Sequence, residues 1–233
     1  MKKHYIIAIV GPSGSGKTTL SLAMQKAGIP SIVSYTTRPM REGEVNGREH
    51  WFITEPESDR LLSNVPPVAF TRFGGHRYFT LREQFTPDIC SYVVDEPGLK
   101  MLQDRFESAN HIAECYMDEC RQTGTVPSEE VHVYRIIPVY VSRDVQILRS
   151  QIGADRLERD KERQALPEDE YFLHVCNDSP SVLHFEAWAE YLATALQATL
   201  GTTVIYPASF RTSESDTLTI INDLAKVQTI SID

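Results

Sequence analysis

Eight consecutive residues near the amino terminus have the types and spacing to hold a polyphosphate: Gly11, Pro12, Ser13, Gly14, Ser15, Gly16, Lys17 and Thr18. Two glycines separated by four positions, then lysine and a hydroxyl residue, form a complete phosphate-binding loop. The glycines let the backbone curl so that its N–H groups face inward at phosphate oxygens. Lys17 suits the β- and γ-phosphates of a nucleoside triphosphate, and the Thr18 hydroxyl suits Mg²⁺. Thr19 completes the candidate ATP-binding run.

Two further groups of cations accompany the loop. Arg38 and Arg41 lie three residues apart in a glycine-bearing stretch that runs from Ser34 to Gly47. A planar guanidinium fork matches phosphate oxygens, so this pair suits a phosphate clamp. Glu42, Glu44 and Glu49 balance the two arginines, and the same stretch also reads as a solvated charged loop. The run Arg149 to Arg163 is rich in arginine, with Glu158, Asp160 and Glu162 interleaved. That pattern fits an exposed helix laced with i, i+4 pairs as well as it fits a cationic cover.

The elements that must position these residues follow from apolar patterning. Tyr5 to Val10 reads as a first strand buried on both faces, and Lys17 to Lys26 as the first helix, stopped by Gly28 and Pro30. Ile32 to Tyr35 reads as a second strand, with a polar loop from Thr36 to Glu49. Short strands are expected at 51–53, 68–73 and 78–80, with Gly74-Gly75 as a tight turn, so residues 34–90 suggest a small β-rich lobe. Further strands are expected at 91–94, 136–141 and 173–176, and helices at 98–106, 144–163 and 181–200. Residues 108–133 lack sustained periodicity and read as an insertion with a short helix near 113–122; residues 201–233 read as an appendage. Strands alternating with helices predict an α/β fold, a parallel sheet with helices on both faces. Ligands of such sheets sit at the carboxyl ends of the strands, where the loop, Asp95, Ser142 and Asn177 all fall.

Composition narrows the function. The 233 residues carry a net charge of −9, which excludes a broad basic surface for nucleic acid. The first apolar run ends at Gly11 after six residues, too short for a signal core or a membrane span, so a cytoplasmic protein with no membrane partner is expected. The four cysteines, Cys90, Cys115, Cys120 and Cys176, form no C-x-x-C pair and read as free thiols. Cys115 and Cys120 with His111 match no common zinc spacing.

From Tyr5 to about Leu200, leaving out 108–133, the chain resembles the guanylate kinase family. The resemblance rests on the phosphate loop and on Ser34-x-Thr-Thr-Arg38, Pro39-x-Arg41 and Gly43-Glu44-x-x-Gly47. It implies phosphoryl transfer from Mg·ATP to a nucleoside monophosphate, GMP or dGMP, in purine nucleotide metabolism. It implies that Lys17, Arg38, Arg149 and Arg156 are catalytic, the last two as lid arginines. It implies that Asn177 lies near the ATP adenine. The monophosphate site would comprise Ser34, Arg38, Arg41, His50, Tyr78, Thr80 and Asp95. The implied organisation is a core of 1–33, 91–142 and 166–200, a monophosphate-binding lobe of 34–90 and a helical lid of 143–165. Three positions depart from the family pattern. Glu49-His50 stands where the family has Asp-Tyr, Val93 where it often has an aspartate, and Ala69 where a glutamate accepts from guanine. An alanine cannot accept a hydrogen bond, so discrimination between bases is expected to weaken. Asp95, Glu96 or an ordered water would have to replace the lost acceptor. A kinase of another acceptor, a different nucleoside monophosphate or a phosphorylated sugar, and a non-catalytic interaction module are the rival readings; the intact loop favours catalysis.

Overall fold

The computed structural model describes residues 1–143, 160, 163, 165–177 and 182–201. Its strands are β1 (Lys2–Val10), β2 (Ser31–Ile32), β3 (Tyr35–Thr36), β4 (Trp51–Phe52), β5 (Ala69–Phe73), β6 (His76–Thr80), β7 (Ile89–Val93), β8 (His132–Ser142) and β9 (Leu173–Cys176). The helices are α1 (Lys17–Lys26), α2 (Glu55–Asn64), α3 (Glu96–Thr123) and α4 (Val182–Gly201). A five-stranded sheet has the order β2-β7-β1-β8-β9, and a four-stranded sheet the order β4-β3-β6-β5. This is the expected α/β architecture with a small β-rich sheet added. The chain divides into two compact units, residues 1–10 with 31–136, and residues 11–30 with 137–233.

In the first unit, β7 pairs parallel with both β1 and β2. Ile6, Ile7, Ala8, Ile9 and Val10 are all fully buried, as a central parallel strand requires. Leu99, Leu102 and Phe106 of α3 are buried as well. The small sheet belongs to this unit too. β5 and β6 form an antiparallel hairpin through Gly74-Gly75, and β3 joins β6 antiparallel.

In the second unit, β9 pairs parallel with the carboxyl half of β8, from Val139↔Leu173 to Ser142↔Cys176. Helix α4 buries Ala189, Leu192, Ala193 and Leu196, and it packs against α1. An ion pair at 2.6 Å, Lys26–Glu190, ties the two helices at their surface.

Three local expectations are corrected. The expected strand over 32–35 is two strands in different sheets, β2 and β3, because the chain changes sheets at Val33-Ser34. There the Val33 carbonyl accepts from the Gln84 side chain at 2.7 Å, and the Ser34 carbonyl accepts from the Trp51 N–H at 2.9 Å. The helix expected to end at Phe106 runs to Thr123 as α3, 28 residues long. Asp95 caps its start by accepting from the Gly98 N–H, and Gly124 at φ 67° ends it. Beyond Phe106 its described side chains are mostly exposed, so no apolar stripe announces it in the sequence. Helix α2 has no counterpart in the sequence reading. Its signal is a capping box, Thr54 with Glu57, and a proline at the second position.

Candidate functional site

The phosphate loop bridges β1 and α1, both at their expected places. Two of its glycines are required by space as well as by conformation. A Cβ on Gly11 would collide with the Val141 carbonyl oxygen. A Cβ on Gly16, at φ 106°, would lie 2.6 Å from the Phe185 ring and 2.7 Å from Nδ2 of Asn177. Asn177 is buried, and its Nδ2 donates to the Ser15 carbonyl at 2.8 Å. The asparagine therefore braces the loop from the end of β9. Lys17 Nζ donates to the Gly11 and Pro12 carbonyls at 2.7 Å each, which folds the cation over the loop. The Ser13 N–H and hydroxyl both donate to the Asp160 carboxylate, at 3.0 and 3.1 Å. Gly14, Gly16, Lys17, Thr18, Thr19, Arg143, Asn177 and Phe185 line one cleft of about 300 Å³. All of these residues lie in the second unit. The structure thus brings the expected loop residues and Asn177 together. Arg149 and Arg156 lie outside the described residues, as do most of 143–165 and all of 202–233. Arg163 is described, and its guanidinium stacks on the Tyr140 ring at 5.4 Å.

The expected acceptor residues assemble separately, within the first unit. Arg38 is buried and grips Glu44 with both terminal nitrogens, at 2.9 and 2.8 Å. Glu44 also accepts from the Arg41 N–H at 2.7 Å. The Arg38 hydrogen bond, reinforced by the Arg41 N–H, pulls the Glu44 carboxyl down to about 2. The same contact raises the Arg38 guanidinium above its ordinary value. His50 Nδ1 shares a hydrogen bond with the Ser34 hydroxyl at 2.8 Å, and its ring meets Tyr78 edge-on at 5.6 Å. Burial, then repulsion from Arg38, holds His50 below the usual imidazole value.

Register places the base-facing candidates on one side of the small sheet. Thr80 pairs with Ala69, and Tyr78 pairs with both Thr71 and Thr36. Directly opposed residues, and residues two apart, share a face, so Thr36, Ala69, Thr71, Tyr78 and Thr80 point the same way. Ala69 and Thr80 are fully buried there. The Thr71 hydroxyl donates to Asp95 at 2.7 Å, which draws that carboxylate to this face. Burial raises the Asp95 carboxyl, against the lowering effect of Thr71 and of the Gly98 N–H. Sequence reasoning missed Thr71 because threonine in a strand carries no functional signal of its own.

Comparison with known proteins decides the family. The family model described as Guanylate kinase matches residues 2–87. A guanylate kinase of Thermobifida fusca is 39% identical over 159 residues, covering 65% of this chain and 79% of that protein. The chain belongs to the guanylate kinase family. A second guanylate kinase, from a Nostoc species, is 29% identical over 198 residues and covers 82% of this chain and 88% of the relative. The crystal structure of guanylate kinase from Anaplasma phagocytophilum superposes with a TM-score of 0.56 at 17% identity, over 87% of this chain and 89% of that one. At that identity the likeness is one of fold. The chain thus holds two groups of expected site residues, the loop of Gly11 to Thr18 in one unit and the segment around Arg38 and Glu44 in the other.

Proposed function

We propose that this protein transfers the γ-phosphoryl group of ATP to the phosphate of GMP. The observation that carries the proposal is the buried Arg38 guanidinium held by Glu44, which supports a second anion site in a chain with a triphosphate loop. The name shared by the relatives supports GMP as the acceptor.

In this reading the loop N–H groups and Lys17 hold the β- and γ-phosphates, with Ser13, Gly14, Ser15 and Gly16 supplying backbone donors. Lys17 must leave the Gly11 and Pro12 carbonyls to do so, an exchange of two neutral acceptors for an anion. Thr18 lines the cleft beside Lys17, and no group of three acidic, histidine or cysteine side chains able to hold a metal occurs among the described residues. A single protein hydroxyl fits Mg²⁺, which Thr18 would hold together with the substrate phosphates. When bound, Mg²⁺ neutralises charge on the transferring group. Arg38, Arg41, His50 and Tyr78 orient the acceptor phosphate for in-line attack, while Ser34, Thr80 and Asp95 lie beside the base. Arg149 and Arg156 close over the phosphoryl group from a lid of 143–165. Positioning and charge neutralisation then suffice, since this chemistry needs no strong base.

We assign the core to 1–33, 91–142 and 166–200, the monophosphate-binding lobe to 34–90, and the appendage to 201–233. The cytoplasm is the proposed setting, in keeping with four free cysteines and with no described helix long and apolar enough to cross a membrane. ADP formation from ATP should be measured against GMP, dGMP, AMP, UMP and CMP. Turnover should be greatest with the guanine acceptors, and Lys17→Ala should lower it at least about a hundredfold without unfolding the protein. Inert GMP and dGMP beside an active pyrimidine acceptor would refute the assignment.

A further inference from the structure

Arg143 stands one residue past the carboxyl end of β8, at the first position of the proposed lid, and neither Arg149 nor Arg156 duplicates its place there. It borders the donor cleft together with Gly14, Lys17, Thr18 and Asn177. Its Nη1 donates to the Gly14 carbonyl at 3.4 Å, long for a hydrogen bond of this type. Its Nε is buried and has no hydrogen-bond partner among the described residues. A guanidinium cannot shed its proton, so Nε–H is a permanent donor on a cation. Burying such a donor unsatisfied is unfavourable unless something else brings an acceptor. The cleft beside it is walled by a loop built to receive anions. Nε and a terminal nitrogen form one edge of a planar fork that fits two oxygens of a single phosphate group.

We propose that Arg143 binds the phosphate chain of the donor nucleotide, as a second cation beside Lys17. Lys17 reaches the chain from within the loop, and Arg143 reaches it from the side of Gly14. The inference rests on the donor-site reading of Gly11 to Thr18. It gives the protein a donor contact at the rim of β8 in addition to the lid arginines.

Titration calorimetry on the full chain tests this with ATP, ADP, adenosine and GMP as ligands. Arg143→Gln should weaken ATP and ADP about tenfold to a hundredfold, the range expected for a charge-assisted pair. Adenosine and GMP affinities and the melting temperature should stay unchanged. Arg143→Lys keeps the charge and loses the fork, so it should recover only part of the affinity. The fall of ATP affinity with added salt should be shallower in Arg143→Gln than in the parent. ATP affinity within twofold of the parent in both variants overturns the inference. So does an equal loss for adenosine, which would mean that Arg143 meets the base. If Arg143→Gln does not fold, Arg143→Lys alone decides, and parent-like ATP binding then refutes the contact. Lys17→Ala separates the two levels of argument. Normal ATP binding in that variant would sink the donor site itself, whereas its loss alongside parent-like Arg143 variants would remove Arg143 alone.

Discussion

Arg38 and Glu44 form a bidentate pair with little exposure, and in the proposed function this pair is where the acceptor phosphate is met. Glu44 occupies both terminal nitrogens of the fork, so an incoming phosphate must share the guanidinium or displace the carboxylate. On the same proposal, His50 would add a proton to that exchange. Its folded pKa lies below 6.5, the ordinary value, chiefly because the ring is buried and secondarily because Arg38 repels its charged form. Glu44 and Glu49 oppose this, and Ser34 accepts or donates at Nδ1. The folded protein therefore binds fewer protons at this site than the unfolded chain does. Stability from the neutral ring is complete above pH 6.5 and is lost as pH falls through 6.5 toward the lower folded value. A phosphate dianion beside the ring reverses the balance and favours imidazolium. GMP binding near pH 6.5 should therefore draw in a proton, seen as a binding enthalpy that varies with the buffer's ionisation heat. Subtracting the same measurement on His50→Gln removes the proton equilibrium of the phosphate itself, whose second pKa is near ~6. Equal buffer dependence in parent and variant would show that His50 does not take part. At this scale the sequence was highly legible. The loop announced itself by spacing alone, and Arg38 by the motif around it. Arg143 was not legible, because one arginine after a strand has no pattern until the fold puts it beside Gly14.

At the scale of elements, legibility followed apolar periodicity. Strand β1 and helix α4 are built from buried apolar residues and emerged within a few positions of their true bounds. Helix α2 buries only Ser58 among its side chains, so hydrophobic pattern could not reveal it. Its capping box was the available signal, and Thr54→Ala should test how much the helix depends on it. Loss of the cap should destabilise the protein by about 1 kcal/mol, read as a shift in the urea midpoint with an unchanged slope. No shift would mean that packing alone holds α2. The small sheet supports a sharper prediction. Ala69 shares a face with Thr71, Tyr78 and Thr80, beside the Asp95 carboxylate that Thr71 holds. If guanine is seated there, as proposed, a buried alanine leaves its N1–H and N2–H groups without the carboxylate that would accept from both. Ala69→Glu should raise the ratio of kcat/KM for GMP over AMP by about tenfold or more, since unpaired buried polar groups penalise the wrong base. A ratio unchanged in the folded variant would show that Asp95 already supplies the needed acceptor.

Over the whole molecule, the proposed donor and acceptor residues fall in different compact units. Gly11 to Thr19, Arg143 and Asn177 belong to the unit of 11–30 and 137–233, whereas Ser34 to Thr80 and Asp95 belong to the unit of 1–10 and 31–136. Each cluster has support from within its own unit: Asn177 braces Ser15 in one, and Glu44 holds Arg38 in the other. Each ligand should therefore find the groups that bind its phosphate without help from the other. Hydrogen exchange read by mass spectrometry can test this one ligand at a time. A non-hydrolysable ATP analogue at a hundred times its dissociation constant should slow exchange in peptides covering 11–30, by up to about a hundredfold for amides that exchange only through opening of the unliganded site. GMP at the same saturation should slow peptides covering 34–50 and 76–80, and should leave 11–30 within about twofold of the free protein. Protection of the phosphate loop by GMP alone, equal to that given by the ATP analogue, would contradict the argument, because the acceptor would then be ordering a cluster that contains none of its contacts. Both ligands together should protect both sets. Any protection beyond the sum would measure the coupling free energy between the sites, which must be the same whichever ligand is added first.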